Sequence, residues 1–385
     1  MDRWIRSTVE RHLAWNVHFD LTYRCNERCI HCYLDHQDYG EMTTIEIKNL
    51  LEQLAEAGTL FLTLSGGEIF LRKDLFELIA FARQLHFDVS LKTNALLVDA
   101  SRARELRRLG VRAVQVSIYS ADPSVHDAIT RVPGSLVRSL VGIRLLQREG
   151  LRVKLACPLM KQNLTAYRGV QSLAEELGVP YILDLTITPK MDGDGSILSL
   201  RGTLNELLPV LQDPLVNPRA ACSDGASSGA FAAGSVTSSG IESGAYDDIP
   251  CSAGHNSCYI SPYGDVYPCV QMPLVAGNVR RQTFREIWSG SPEMNRVRAI
   301  RESHLPVCST CGIRSYCERC PGLAQMEGGD LLGAYERACE LAEANARLAG
   351  VENPVSALHA KRPSPGLLPV LASRPGLQHA CTQSH

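Results

Sequence analysis

Cysteine constrains this chain more than any other residue type: there are 14 in 385 residues. Three stand within one short stretch, Cys25-Asn-Glu-Arg-Cys29-Ile-His-Cys32, and eight more are spread between Cys251 and Cys339. The N-terminal sequence MDRWIRSTVERHLAWNV lacks the apolar core of a secretory signal. No apolar run reaches the roughly 18 to 20 residues that cross a bilayer. The expected location is therefore the reducing cytoplasm, where cysteines this dense serve metal or redox chemistry rather than a disulfide framework. Lys and Arg number 39 against 41 Asp and Glu, a net charge of −2 that argues against bulk electrostatic binding of nucleic acid. Neither nucleic acid nor a membrane is expected as a partner.

The length suits one large domain and a smaller one. Asn16–Thr22, Leu60–Leu64, Asp88–Thr93, Ala113–Ile118, Arg152–Cys157 and Tyr181–Ile187 read as strands with helices between them. Thr43 and Glu46 form a capping box that opens an amphipathic helix with Ile47, Leu50, Leu51 and Leu54 on its apolar face. Lys73–Leu85 and Ser101–Leu109 read as two further helices. Six βα units in a row predict an α/β fold whose parallel sheet curves into a partial (β/α)6 barrel. Its active site is expected at the C-terminal ends of the strands. Residues 1–14 read as an N-terminal extension and 15–212 as the barrel. Residues 213–250, centred on SDGASSGAFAAGSVTSSGIESG, read as a flexible linker. Residues 251–345 form a small, cysteine-rich α+β domain, and the Pro-, Ser- and Ala-rich segment 346–385 is expected to be a disordered tail.

Cys25, Cys29 and Cys32 fall on the loop after the first strand. Three thiolates there suit an iron–sulfur cube and leave one iron open. A zinc knuckle with a distant fourth ligand, for which His31 is available, is the competing reading. Ser65-Gly66-Gly67-Glu68 closes the second strand: glycines allow close backbone approach and a carboxylate can pair an ammonium, although a plain strand-end turn has the same composition. Asn94 follows the third strand. Ser117 ends the fourth, and Arg131 lies beyond it in SIYSADPSVHDAITRVPGS. A guanidinium holds a carboxylate with two hydrogen bonds, or simply joins a surface ion pair. In the C-terminal third, Gly264-Asp-Val-Tyr-Pro-Cys269 precedes Cys308-x2-Cys311-x5-Cys317-x2-Cys320 and Cys339; the CxxCx5CxxC run alone reads equally well as a zinc ribbon.

Taken together, over about residues 15–345, these motifs resemble the radical S-adenosylmethionine (SAM) enzymes. The resemblance implies that Cys25, Cys29 and Cys32 hold a SAM-binding [4Fe–4S] cluster. It implies that Gly66, Gly67 and Glu68 bind the amino group of the SAM methionine moiety and that Ser117 and Arg131 contact its carboxylate. Asn94 would lie near the ribose and His31 beside the adenine. The C-terminal cysteines resemble the SPASM extension, whose pattern is C…Gx4C, a gap, CxxCx5Cx3C, a gap and a final C; here the last internal spacing is two residues. By the interleaved pairing of that family, Cys251, Cys258, Cys269 and Cys320 would hold one auxiliary [4Fe–4S] cluster. Cys308, Cys311, Cys317 and Cys339 would hold another, which makes three clusters in all. Cys222 and Cys381 read as bystanders. Cys157, on the fifth strand, is either a small packing residue or a hydrogen-atom donor facing substrate.

What the resemblance implies for function is an oxidoreductase that cleaves SAM to a 5′-deoxyadenosyl radical, which abstracts hydrogen from a substrate at the barrel mouth. The first expectation for that substrate is a ribosomally made peptide, cross-linked, oxidised or epimerised as by maturases of the pyrroloquinoline quinone type. A separate leader-recognition protein, or none, would serve it, with an electron donor such as flavodoxin or ferredoxin. Val270 after Cys269, where sulfatase-maturing relatives carry Asp, lowers that variant. The alternative is a small molecule: a tetrapyrrole, sugar or amino alcohol. An iron–sulfur electron carrier is the third reading, opposed by the Gly-Gly-Glu motif and the Ser117/Arg131 pair, because a carrier has no use for SAM. Tyr119, Asp184 and the loop holding Asp192 and Asp194 read either as pocket residues or as structure.

Overall fold

The computed structural model describes residues 2–217 and 249–360. Most of the expected linker, Cys222, Cys381 and the end of the expected tail lie outside the described residues. After helix α1 (Asp2–Glu10), strands β1 (Asn16–Thr22), β2 (Phe61–Gly66), β3 (Asp88–Thr93), β4 (Ala113–Ser117), β5 (Arg152–Pro158) and β6 (Tyr181–Asp184) follow in order. They alternate with helices α2 (Thr44–Glu56), α3 (Leu75–Gln84), α4 (Ala100–Arg108), α5 (Pro123–Thr130), α6 (Ser135–Arg148) and α7 (Tyr167–Leu177), and α8 (Leu204–Leu211) closes this half. Adjacent strands from β1 to β6 pair in parallel, as six consecutive βα units require.

Local chemistry places the elements. Thr43 caps α2 with a complete capping box, and Ile47, Leu50, Leu51 and Leu54 all bury against the sheet. Strand β6 stops at Asp184, three residues short of the expected end, because the Asp184 carboxylate accepts from the Thr186 N–H at 2.8 Å and turns the chain. Along β5, Val153, Leu155 and Cys157 enter the core shared with the helices, whereas Lys154, Ala156 and Pro158 take the concave face of the sheet.

The cysteine-rich half does not begin a separate sheet. Strand β7 (Ser257–Ile260) pairs in parallel with β1, and β8 (Asp265–Tyr267) and β9 (Gly277–Asn278) follow antiparallel, so the sheet runs β6-β5-β4-β3-β2-β1-β7-β8-β9. This covers the edge that β1 would otherwise expose. Helices α9 (Phe284–Gly290), α10 (Pro292–Arg298), α11 (Pro321–Gly328), α12 (Glu336–Leu348) and α13 (Ala357–Ala360) complete the described chain. Order therefore continues past residue 346, where a disordered tail was expected to begin. Ser356 donates its N–H to Glu343 at 2.7 Å, and the His359 ring bonds both Glu343, at 2.7 Å, and Glu336, at 2.9 Å. Composition registers the Pro and Ser of this segment but not the two α12 carboxylates that hold it. Among the described residues no helix is long and apolar enough to cross a membrane.

Candidate functional site

The loop after β1 carries Cys25, Cys29 and Cys32 and is anchored on both sides. On one side it crosses the end of β2: Gly67 N–H donates to the Thr22 carbonyl at 2.8 Å and Glu68 N–H to that of Arg24 at 2.9 Å. A Cβ on Gly66 would stand 2.1 Å from the Thr22 carbonyl oxygen, and one on Gly67 2.3 Å from that of Arg24. These glycines are thus demanded first by the chain's own cysteine loop. On the other side, Arg28 and Ile30 donate their N–H groups to the carbonyls of Thr130 and Ile129 at the end of α5. The resulting turn puts the Cys32 N–H 3.1 Å from the Cys29 carbonyl.

Burial pushes the Cys25 thiol up to about 12 and that of Cys32 up to about 11, with Cys29 higher still. The Glu27 and Glu68 carboxylates add to the rise at Cys25. Glu27 itself is buried, is pushed up to about 7 by desolvation, and leaves its Oε1 without a partner. Thiolates in such a place are stable only against strong positive charge, which is what iron ligation supplies.

The remaining expected contacts fall into two groups. Glu68 is fully buried, and its carboxylate is held by Thr93 Oγ1 at 2.8 and 2.9 Å, Asn94 N–H at 2.9 Å and Phe70 N–H at 3.1 Å. Instead of presenting a solvent-facing oxygen to an ammonium, it ties the end of β2 to the end of β3. The Asn94 side chain donates to Asn26 Oδ1 at 2.7 Å and lies 4.0 Å from Cys25 Sγ, so it braces the cysteine loop. Ser117 bonds the Tyr119 hydroxyl, which in turn lies 3.8 Å from Cys29 Sγ. His31 meets Tyr119 edge-on at 4.8 Å; burial pushes it down to about 4, and its Nδ1 has no partner. Arg131 caps α5 in a left-handed conformation (φ 58°), exposed and one residue past the loop anchor at Thr130.

Cys157 takes the packing role. It is 1% exposed on the helix-facing side of β5, its thiol donates to the Tyr119 carbonyl at 3.5 Å, and burial pushes it up to about 12. The period-two alternation of the strand turns it away from the concave face, so the reading as a substrate-facing hydrogen donor does not hold. That face carries residues the sequence reading passed over. Asp20 accepts from Tyr259 at 2.9 Å and bonds His18 at 3.1 Å, and Tyr259 bonds Tyr23 at 2.7 Å. Lys92 is half-buried and feels the charges of Asp20 and Asp184, and Lys154 lies near enough to feel that of Lys92. Polar residues at alternate positions of an otherwise apolar strand were the available signal.

Several of the C-terminal cysteines lie near one another. Cys269 feels the charges of Cys251 and Cys320, and Cys258 feels that of Cys269. Cys308, Cys311, Cys317 and Cys339 line one small cavity, closed by the segment around Ser356 and Ala357, whose N–H lies 3.4 Å from Cys311 Sγ. Among the described residues no three His, Cys, Asp or Glu side chains converge as on a single metal ion.

A family model described as the radical SAM superfamily matches residues 19–168, and the SPASM iron–sulfur cluster-binding domain matches 251–312. The AdoMet-dependent heme synthase of Methanosarcina barkeri is 30% identical over 339 residues, covering 85% of this chain and 95% of that protein. This chain belongs to the radical SAM enzymes with a SPASM domain. Its cofactors are accordingly SAM and iron–sulfur clusters. The mycofactocin maturase of Mycobacterium tuberculosis is 28% identical over 313 residues, 79% of this chain and 76% of that one. In fold, the chain resembles Streptococcus suis SuiB bound to its precursor peptide SuiA, with a TM-score of 0.63, 16% identity, and coverage of 88% of this chain and 80% of that one.

Proposed function

We propose that this radical SAM enzyme acts on a small carboxylated molecule of the tetrapyrrole class. The observation that carries the reading is the likeness to a heme synthase along 95% of that protein's length, barrel and SPASM region together. The concave face supports it: Lys92 and Lys154 offer ammonium groups to substrate carboxylates, and Asp20 and Asp184 keep that floor from excess charge.

In this reading Cys25, Cys29 and Cys32 hold the SAM-binding [4Fe–4S] cluster. Cys251, Cys258, Cys269 and Cys320 hold a second, and Cys308, Cys311, Cys317 and Cys339 a third. With SAM and an electron donor such as flavodoxin or ferredoxin, the group on the β1 loop supplies reductive cleavage of a sulfonium and a hydrogen-abstracting radical. The chain's own residues supply position. Gly66, Gly67 and Glu68 fix the cysteine loop on the sheet. Ser117 and Arg131 receive the SAM carboxylate at the ends of β4 and α5, while Asn94 and His31 with Tyr119 flank the nucleoside. Tyr23 and Tyr259, buried, and Tyr33, half-buried, stand around Asp20 and keep water from the floor.

A peptide substrate is the second reading, favoured by the mycofactocin maturase and by the fold shared with a peptide-bound enzyme. The test is an anaerobic reaction of reconstituted enzyme with SAM and reductant, given in parallel an iron porphyrin bearing propionates and any small peptide encoded beside the gene. Readouts are 5′-deoxyadenosine and the mass of each candidate. Turnover with a changed porphyrin mass is expected. A porphyrin of unchanged mass beside a peptide that loses two hydrogens would overturn the tetrapyrrole reading. Deoxyadenosine formation that persists in Cys29→Ala would overturn the assignment of the first cluster.

A further inference from the structure

The chain past α12 returns over the cavity of Cys308, Cys311, Cys317 and Cys339. Gly350 and Val351 donate their N–H groups to the carbonyls of Arg347 and Ala346 and close the end of the helix. Asn353 then takes a left-handed conformation (φ 44°). Beyond it, the Ser356 N–H and the His359 ring both bond Glu343, and that ring also bonds Glu336, so the segment runs back along α12 and is latched to it. Ser356, Ala357 and Leu358 thereby become one wall of the cavity.

Two polar groups of this segment meet thiols of the set. The Ala357 N–H lies 3.4 Å from Cys311 Sγ, within reach of a hydrogen bond to sulfur. The Ser356 side chain hydrogen-bonds the Cys339 thiol and accepts from the His359 N–H at 3.3 Å, and the residue is 1% exposed. Neither contact is needed to end α12, which its own N–H groups already terminate. The donor set suits an iron–sulfur cluster: four soft thiols face one cavity, and no carboxylate or imidazole stands among the residues that line it.

We propose that residues 352–359 are a strap that covers the auxiliary cluster of Cys308, Cys311, Cys317 and Cys339 and sets its reduction potential, with Ser356 and Ala357 as positioning residues on the ligand sulfurs. The inference rests on the assignment of a cluster to these four cysteines. A hydrogen bond to a ligand sulfur favours the reduced cluster, which carries the greater negative charge, and so raises the potential. A wall latched by His359 keeps solvent and oxygen from the cluster, and releasing the latch opens that wall locally.

The test uses the reconstituted full chain with Cys25, Cys29 and Cys32 replaced by Ala, so that auxiliary clusters alone remain. Iron and sulfide per chain are measured, and reduction is followed by electron paramagnetic resonance against applied potential. Cys308→Ala identifies the iron and the signal that belong to this cluster; if it removes neither, the cluster assignment itself fails and the strap with it. Ala357→Pro deletes the N–H alone, at the first residue of α13, where proline is readily accommodated. With iron content unchanged, its signal should titrate at a more negative potential, and that of Ser356→Ala should move the same way. Should Ala357→Pro fail to take up the cluster, Ser356→Ala carries the same test. His359→Ala releases the latch without touching a thiol, and should speed bleaching of this cluster in air severalfold while the other auxiliary signal decays as before. A potential unshifted in the variants that retain the cluster, or bleaching in His359→Ala no faster than in the parent chain, would overturn the proposal while leaving the cluster assignment in place.

Discussion

Gly67→Ala tests how the SAM-binding loop is held. The added Cβ would stand 2.3 Å from the Arg24 carbonyl oxygen, 2.7 Å from that of Tyr23 and 2.8 Å from the Arg24 carbonyl carbon, all backbone atoms that no rotamer change can move. To restore even the tight contact of 3.0 Å, the loop must retreat by about 0.7 Å, a strain of about 1–3 kcal/mol. The retreat also stretches the hydrogen bonds from Gly67 to Thr22 and from Glu68 to Arg24, each contributing about 1 kcal/mol. Because Cys25 follows Arg24 directly, the displacement reaches the first thiolate. The assay is electron paramagnetic resonance of the reduced, reconstituted enzyme with and without SAM, since a SAM-induced change in the signal reports this cluster and not the auxiliary ones. Expected are a weakened SAM response and lower deoxyadenosine formation, with helical content retained. Gly290→Ala, whose Cβ meets nothing within 4 Å, serves as control and should behave as wild type. A Gly67→Ala enzyme with an undiminished SAM response and an unshifted thermal midpoint would refute the anchoring argument.

Cys157→Ala should lower stability by about 1 kcal/mol through lost packing and leave deoxyadenosine formation per folded molecule unchanged; a lost product with retained SAM cleavage would restore a chemical role for the thiol. Glu46 is held down at about 2, first by its hydrogen bond to Arg280 and then by the Thr43 cap. Its contribution is therefore present above the ordinary carboxylate value of 4.5 and lost as pH falls from there through about 2. Glu46→Ala should cost about 1 kcal/mol in chemical denaturation at neutral pH and progressively less under acid; a cost independent of pH would contradict the assignment. Arg201 grips Glu327 at 2.7 and 2.9 Å with both side chains mostly buried, joining the chain after β6 to α11. Glu327→Gln should destabilise by about 2 kcal/mol in the same assay, and an unaltered midpoint would show that the pair is merely structural decoration of the surface.

Much of the barrel could be read from spacing because its determinants are local. The Thr43–Glu46 capping box, the strand periodicity and the Cys25–Cys32 turn are each encoded within a few residues. The roles of individual site residues were less legible. Glu68 reads as a free carboxylate until Thr93 and Asn94, about 25 residues later, are seen to hold it. Cys157 could be placed on β5 from the pattern, but its direction depends on register, since a slip of one residue exchanges the two faces of a strand. The ordered segment around His359 escaped composition because two carboxylates on α12, not its own residues, keep it in place.

By itself the sequence determined which elements form, which thiols share a loop, and the family to which those motifs belong, since short-range hydrogen bonding and ligand spacing act between near neighbours. Tertiary structure alone decided that β7 joins β1 in one sheet, that Cys308, Cys311, Cys317 and Cys339 line one cavity, and that Arg11 and Arg298 line another. Those meetings bring together residues up to hundreds of positions apart, and only the packing of the whole chain sets the distances between them.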